Sequence, residues 1–174
     1  HWEDVSAVTP VSTSHIRQAR SHLPSVEALW AQRVLDGHAD YPRADLDVAW
    51  RNTMMIDEHS GGGVGWPGLL TEAEVNQQNT DFMNYSNECS EVVDALEESV
   101  VADLATELVA DGEQGLVVFN PLGEPYEGVV RVERAEGWPA NVHLVDGATG
   151  DTVLSRLDDD DRRHLWVQVS IPAR

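Results

Sequence analysis

The sequence contains no lysine, a single cysteine and no long apolar run, and each shortage limits what the chain can be. All 11 basic residues are arginine, against 31 acidic residues, so the net charge is −20. A chain this acidic repels nucleic acid and anionic membranes. The absence of lysine fits either a GC-rich genome or a halophile, and solvated charge is favoured over an acidic docking surface.

No disulfide can form within the chain, because Cys89 is its single cysteine. It stands at an apolar position of a helical pattern, which favours a buried structural thiol over a catalytic one. No apolar run approaches the length of a membrane span. The chain starts at His1 without a signal-peptide pattern and stops after a strand-like run. We therefore expect both ends to be cut, which leaves the compartment open, with the cytoplasm favoured.

Apolar residues at helical spacing predict three helices within residues 1–112. The first is predicted to begin near Pro24, where proline is tolerated, and to end at Gly37. The second runs into Asp57, and the third begins at Thr71-Glu72-Ala73-Glu74, which has the form of a capping box. A long stripe in the third helix predicts a core seam against the other two: Phe82, Tyr85, Cys89, Val92, Leu96, Val100, Leu104 and Leu108.

Short β runs separated by turns predict a β-rich domain over residues 113–174. Five strands are predicted, near residues 116–119, 129–132, 142–145, 152–154 and 165–169. Residues 146–150 predict a hairpin turn, and residues 158–163 a solvated hairpin tip, with calcium binding as a minor alternative. The predicted fold class is therefore α+β: an N-terminal three-helix bundle, then an antiparallel β-sandwich-like domain that we expect to be truncated.

The most chemically informative place is Asp57-Glu58-His59, where the second helix meets glycines 61–63. Imidazole is a common zinc ligand, and glycine lets a substrate approach closely. A lone histidine at a helix end more often interacts with carbonyl groups or the helix dipole, and zinc needs about four ligands. No HExxH, CxxC or phosphate-loop motif occurs. The scattered histidines receive no role. Surface placement is the default for His15 and His22, His38 is expected in a loop, and His143 and His164 in or beside strands.

Four segments follow one another in an informative order. Ser25-Val26-Glu27-Ala28-Leu29 is similar to an "AE-x-L" helix, and the Tyr41-Pro42 loop follows it. A run from Ala49-Trp50 to Asp57-Glu58-His59 comes next, and a strand-like segment ending in Asn120-Pro121-Leu122 is the last. In this order they resemble the α-mannosidase-like glycoside hydrolases of family 38. The resemblance covers the middle helical bundle and the start of the C-terminal β region, most of residues 15 to 132.

The resemblance implies a retaining, zinc-dependent glycosidase whose nucleophile lies outside this chain. Members combine an N-terminal α/β catalytic domain, a three-helix bundle and β-sandwich domains, and their zinc contacts sugar hydroxyls where the first two meet. By position, His59 would be the zinc ligand supplied by the bundle, with Asp57 and Glu58 as substrate-binding candidates. No segment matches the α/β domain, so we expect the chain alone to be inactive and to bind zinc weakly or not at all.

The partners that the resemblance implies are a carbohydrate with α-linked mannose or a similar sugar and the N-terminal catalytic domain of the same polypeptide. Glu58 before His59 and Ser60 after it are similar to a divergent bacterial and archaeal branch of the family, which leaves the linkage open. The alternative is an acidic, non-catalytic interaction or carbohydrate-binding module that is complete in itself. An upstream coding segment with a His-x-Asp motif would favour the enzyme over the module.

Overall fold

The computed structural model describes residues 9–57, 70–108, 115–135, 137–139 and 142–172. The chain divides into two compact units, His1–Val117 and Val118–Arg174, which we call the helical unit and the strand unit. Three helices are followed by antiparallel strands, so the predicted α+β class is confirmed. The elements are α1 (Pro10–Leu35), α2 (Arg43–Asp57), α3 (Glu72–Leu108), β1 (Tyr126–Glu133), β2 (Leu144–Val145), β3 (Thr152–Val153), β4 (Ser155–Leu157) and β5 (His164–Ile171).

Helix α1 begins much earlier than the sequence predicted. Its first residue is Pro10, and Pro24 lies inside the helix instead of at its start. Proline in a helix interior costs about 3 kcal/mol because it removes a hydrogen bond and crowds the preceding turn. Packing against the other helices outweighs this cost, because α1 has buried residues both before and after Pro24. These are Ser12, Ile16, Ala19, Leu23, Val26, Leu29 and Arg33.

The predicted helix ends at Gly37 and Thr71 are confirmed. Gly37 has φ +79°, and the amides of Gly37 and His38 donate to the carbonyls of Val34 and Arg33, at 3.0 and 2.9 Å. This is the Schellman arrangement that glycine favours after a helix. At the start of α3, the Thr71 amide donates to Glu74 Oε2 at 2.7 Å, and the Glu74 amide donates back to Thr71 Oγ1 at 3.3 Å. These reciprocal bonds form a capping box.

The helical unit is built around one apolar cluster to which all three helices contribute. Of the predicted α3 stripe, Cys89 and Leu96 are in the cluster and the half-buried Val92 packs against it, while Val93, which was not predicted, is fully buried in it. Cys89 is fully buried, which confirms the structural thiol, and burial raises its pKa. No helix in the described ranges is long and apolar enough to cross a membrane. The cluster contains Ile16, Ala19, Leu23, Val26, Leu46, Ala49, Cys89, Val93 and Leu96.

The strand unit contains a three-stranded antiparallel sheet in the order β1-β5-β4 and a two-stranded sheet of β2 and β3. Val130 lies opposite Val167, and Arg131 lies opposite Trp166. Leu165 and Val167 are buried while Trp166 between them is exposed, so side chains alternate between an inner and an outer face. The hairpin turn predicted for residues 146–150 is confirmed, since the Gly150 amide donates to the Asp146 carbonyl at 2.8 Å.

One predicted strand is absent, and one strand of the structure was not predicted. Residues 116–119 do not form a strand, although all four are apolar and half-buried. A strand needs a partner, and none of the described strands pairs with this segment. The missed strand is β4, which has only three residues and carries Arg156 at its centre. Its pairing with β5 is a long-range contact that a short local pattern does not reveal.

Candidate functional site

The structure bears on the predicted site through the helix that leads into it. Asp57 is the last residue of α2. Glu58 and His59, the predicted substrate-binding residue and zinc ligand, lie outside the described residues. The structure therefore shows which contacts hold α2 in place and which partners the motif residues before Asp57 bind.

Glu27 of α1 joins three of the segments that carry the family resemblance. Its Oε1 atom accepts a hydrogen bond from the Tyr41 hydroxyl at 2.5 Å, and its Oε2 atom accepts one from Trp50 Nε1 at 2.9 Å. Glu27 belongs to the first segment, Tyr41 to the second and Trp50 to the third. We call these three residues the Glu27 clamp, since one carboxylate fixes both the loop before α2 and α2 itself.

The clamp has a clear electrostatic signature at Tyr41. The hydrogen bond to the Glu27 carboxylate raises the pKa of Tyr41 to about 12, and burial and the Glu27 charge act in the same direction. A tyrosinate next to a carboxylate would place two negative charges in contact, which disfavours deprotonation. Tyr41 is therefore a hydrogen-bond donor at any ordinary pH, and it cannot serve as a general base in this arrangement.

Buried polar contacts hold the second half of α2 against its neighbours. Asn52 is fully buried and donates from Nδ2 to Glu88 Oε2 of α3 at 2.7 Å. Its Oδ1 atom has no hydrogen-bond partner in the described part of the chain. Arg20 of α1 donates to the Thr53 carbonyl at 3.3 Å. Because buried polar groups are costly unless paired, these contacts fix the rotation of α2 more strictly than apolar packing alone.

The fourth resembling segment is organised by Asn120 at the start of the strand unit. Asn120 is buried, and its Nδ2 atom donates to the carbonyls of Glu124 and Pro172, at 2.6 and 3.3 Å. Its Oδ1 atom accepts from the Leu122 amide at 3.2 Å. The side chain thus replaces backbone hydrogen bonds across the turn. The Asn-Pro-Leu motif therefore has a structural role where it was predicted to end a strand.

The described histidines all form polar contacts. Two of them, His15 and His22, border a groove of about 260 Å³ between α1 and α3. Their Nδ1 atoms lie 3.1 Å from Asn87 Oδ1 and 2.8 Å from Glu97 Oε2. Surface placement, the default prediction, is confirmed for both. Over the residues that can be described, no group of three or more His, Cys, Asp or Glu side chains is placed to hold a metal.

The aspartate-rich segment at residues 158–163 lies between two strands, as predicted, and connects β4 to β5, but Asp158 is not solvated. Asp158 is 7% exposed. Its Oδ2 atom accepts from Arg131 Nε at 2.8 Å, and its Oδ1 atom accepts from the amides of Asp160 and Asp161. These bonds lower the pKa of Asp158. Hydrogen bonds from Arg163 lower the pKa of Asp161 to about 2. The carboxylates of Asp158 and Asp161 are thus hydrogen-bonded within the fold, while Asp159 and Asp160 are exposed as predicted.

Comparison with known proteins adds no relative. No family model, no curated protein and no solved structure matches the chain. The functional argument therefore depends on the residues themselves.

Sequence reasoning missed two polar contacts of the helical unit. One is the Glu27 clamp, although its residues were named within separate segments. The other is Arg33, which is buried and donates to Asp103 Oδ2 at 2.7 Å and to Glu107. Arg33 occupies a position of the buried α1 stripe. An arginine in an otherwise apolar stripe is a signal that a carboxylate lies opposite, because buried charges are usually paired.

Proposed function

We propose that the chain belongs to a retaining, zinc-dependent, α-mannosidase-like glycoside hydrolase, in which the helical unit supplies His59 as one zinc ligand. The active site would be shared with an N-terminal catalytic domain of the same polypeptide. That domain would supply the remaining zinc ligands and the two carboxylates that retaining hydrolysis requires. Asp57 and Glu58 are the candidates for contacts with the sugar.

The observation that carries this proposal is the Glu27 clamp. The resemblance was identified from separate segments, and a chance match gives no reason for their polar residues to meet. Glu27, Tyr41 and Trp50 nevertheless share hydrogen bonds of 2.5 and 2.9 Å. The clamp orients α2, whose last residue, Asp57, precedes His59 by two positions. A ligand has to be held within a fraction of an ångström, and supporting contacts of this kind provide such rigidity.

The described residues do not fit a complete zinc site, because they contain no cluster of metal ligands. Zinc usually takes about four protein or water ligands, so the chain alone is expected to bind it weakly or not at all. The same division of the site predicts that the 174-residue chain does not hydrolyse an aryl α-mannoside. Tight, stoichiometric zinc binding by this chain in a calorimeter would contradict the proposal.

The positive test uses the natural polypeptide, expressed from the start codon of its own gene. We expect it to contain zinc and to hydrolyse an aryl α-mannoside or a related α-glycoside. His59→Ala should lower zinc occupancy by at least about tenfold, since loss of a single supporting contact already costs 10- to 100-fold in affinity. His38→Ala is the matched control, because His38 lies in the loop after α1, and its zinc content and activity should be unchanged. Full zinc and activity in His59→Ala would refute the assignment.

A second candidate function is non-catalytic carbohydrate binding by the strand unit. One observation favours it: the outer face of the three-stranded sheet has an open trough of about 430 Å³ beside the half-exposed Trp166 indole. Gln168 and Arg156 line the same trough and could donate hydrogen bonds to hydroxyl groups. Titration of the chain with methyl α-mannoside tests this candidate, and binding that survives Trp166→Ala would exclude the trough.

A further inference from the structure

The three-stranded sheet has a long open edge at β1. In the order β1-β5-β4, β1 pairs with β5 on one side and has no strand on the other within the described ranges. At eight residues, Tyr126–Glu133, it is as long as the central strand β5. Natural proteins usually protect such edges with short strands, lysine, proline or bulges, because an unpaired edge is a template for another strand. The β1 sequence has no lysine and no proline, and its only protection of this kind is the charge of Glu127, Arg131 and Glu133.

The register shows which backbone groups of β1 face this edge. The Gln168 amide donates to the Leu154 carbonyl at 2.9 Å, so the backbone of Gln168 faces β4. Val129 lies opposite Gln168 in β1, and its N–H and C=O groups therefore point away from β5. By alternation, the same is true of Glu127 and Arg131. The Val129 carbonyl has only a long contact of 3.5 Å with the Tyr126 hydroxyl, which a stronger donor would replace.

The side chains on this edge are complementary to themselves. Glu127, Val129 and Arg131 alternate with half-buried residues and share the outer face, where Val129 is 54% exposed. Read from the opposite direction, the same three positions are Arg, Val and Glu. An antiparallel copy centred on Val129 therefore places each Glu127 opposite the Arg131 of the other copy. A shift of two residues places Glu127 opposite Glu133, and a shift of four places Arg131 opposite Arg131, which are like-charge pairs.

We propose that the open edge of β1 binds the β1 strand of a second copy of this chain, antiparallel and centred on Val129. The two three-stranded sheets then form one continuous sheet with a two-fold axis. The outward N–H and C=O groups of Glu127, Val129 and Arg131 pair across the axis, and two Glu127–Arg131 contacts set the register. This inference does not rest on the proposed glycosidase function.

The dimer forms against a general repulsion, because each copy carries a net charge of −20. Salt screens that repulsion, and at about 0.5 M NaCl the Debye length is only about 4 Å. Backbone groups that hydrogen bond across the axis are closer together than this length. Salt therefore weakens the general repulsion more than it weakens these contacts. Analytical ultracentrifugation of the 174-residue chain over a wide concentration range should therefore be done at this salt concentration, with circular dichroism as a check that every variant is folded.

Two matched pairs of variants test the register. Val129→Asp places two carboxylates opposite each other on the axis and should weaken dimerisation at least about tenfold. Leu154→Asp is its control, since Leu154 is 68% exposed and lines the trough of the same face but is not part of the open edge. Glu127→Arg should weaken dimerisation by placing arginine opposite Arg131 twice. Glu133→Arg changes the net charge equally but lies outside the Tyr126–Val132 overlap, and it should have a smaller effect.

Three results would overturn the proposal. One is a chain that stays monomeric at every concentration in high salt. Another is an equal loss of dimer in Val129→Asp and Leu154→Asp, which would show that the outer faces and not the edges associate. The third is a dimer whose dissociation constant is the same in Glu127→Arg as in the unchanged chain, since the register requires the Glu127–Arg131 contacts.

Discussion

The helical unit and the strand unit stabilise their folds by different means. The helical unit buries a continuous apolar cluster, and it contains 21 acidic residues against 5 arginines. The strand unit has 10 acidic residues and 6 arginines, and it uses several of them inside the fold. Asp158 is nearly buried beside Arg131, and the Asp146 carboxylate accepts two backbone hydrogen bonds.

This difference separates the role of charge in the two units. In the helical unit, the net charge of −16 is largely a source of self-repulsion that the apolar core has to overcome. In the strand unit, ionised carboxylates are partners of arginines and amides, so ionisation itself stabilises the fold. The helical unit should therefore be sensitive to loss of apolar volume, and the strand unit to loss of carboxylate charge.

The largest effect is expected from Leu23→Ala in the helical unit. Leu23 is fully buried in the centre of the cluster, and removal of such a side chain costs about 2–5 kcal/mol through lost transfer energy and a residual cavity. Leu35→Ala on the same helix is the control. Leu35 is 81% exposed, so its replacement should change stability by no more than about 0.5 kcal/mol. Urea denaturation followed by circular dichroism at helical wavelengths measures both, and equal losses would contradict the assigned core.

Acid should destabilise the strand unit more than the helical unit. The pKa values of Asp158 and Asp146 are lowered in the fold, and that of Asp161 is lowered to about 2. A carboxyl whose folded pKa is depressed stabilises the fold above its unfolded pKa of about 3.9, and this contribution is lost as the pH falls toward the folded value. Between about pH 4 and pH 2, the strand unit should therefore lose stability. The helical unit should lose less, because protonation of its other surface carboxylates relieves repulsion and offsets the loss of the Glu74 capping box and the Arg33 ion pairs.

Hydrogen exchange read by mass spectrometry measures this comparison, because it reports each unit separately. Asp158→Asn should reproduce part of the acid effect at neutral pH, since the amide keeps the shape of the side chain but not the charge that pairs with Arg131. Asp159→Asn is the matched control, because Asp159 is exposed and its ion pair with Arg156 is long, at 3.7 Å. The readout is the protection factor, which corrects for the intrinsic exchange rate at each pH. A strand unit whose protection factors fall neither in acid nor in Asp158→Asn would show that its ionic contacts add nothing.

The same contrast explains how much of the fold could be predicted. Helical periodicity is local, so the α3 stripe and both glycine and threonine helix ends were predicted correctly from short segments. Pro24 misled the prediction because the tertiary packing that keeps it inside α1 is not visible locally. The pairing of β4 with β5 is a non-local fact, and no short pattern contains it.

The candidate site divides in the same way. The order of four segments could be seen in the sequence, and it named Asp57, Glu58 and His59. That Glu27 connects Tyr41 and Trp50 could not be seen, because α1, the loop and α2 meet only in three dimensions. The available signal for this contact was that each of the three segments contains a residue able to form a hydrogen bond. That His59 is a zinc ligand stays a prediction. The hydrogen bonds of the Glu27 clamp can be tested independently of His59.

The smallest effect on stability, but the sharpest on a single group, is expected from Glu27→Gln. The amide keeps one acceptor oxygen but removes the negative charge that raises the pKa of Tyr41 to about 12. The pKa of Tyr41 should fall toward the ordinary tyrosine value of about 10, because the tyrosinate is no longer opposed by a carboxylate. Ultraviolet difference titration detects the change, and Glu98→Gln on the exposed side of α3 should leave the curve unchanged. An unchanged titration in Glu27→Gln would show that Glu27 does not bond Tyr41 in solution, and it would remove the contact on which the proposed positioning of α2 depends.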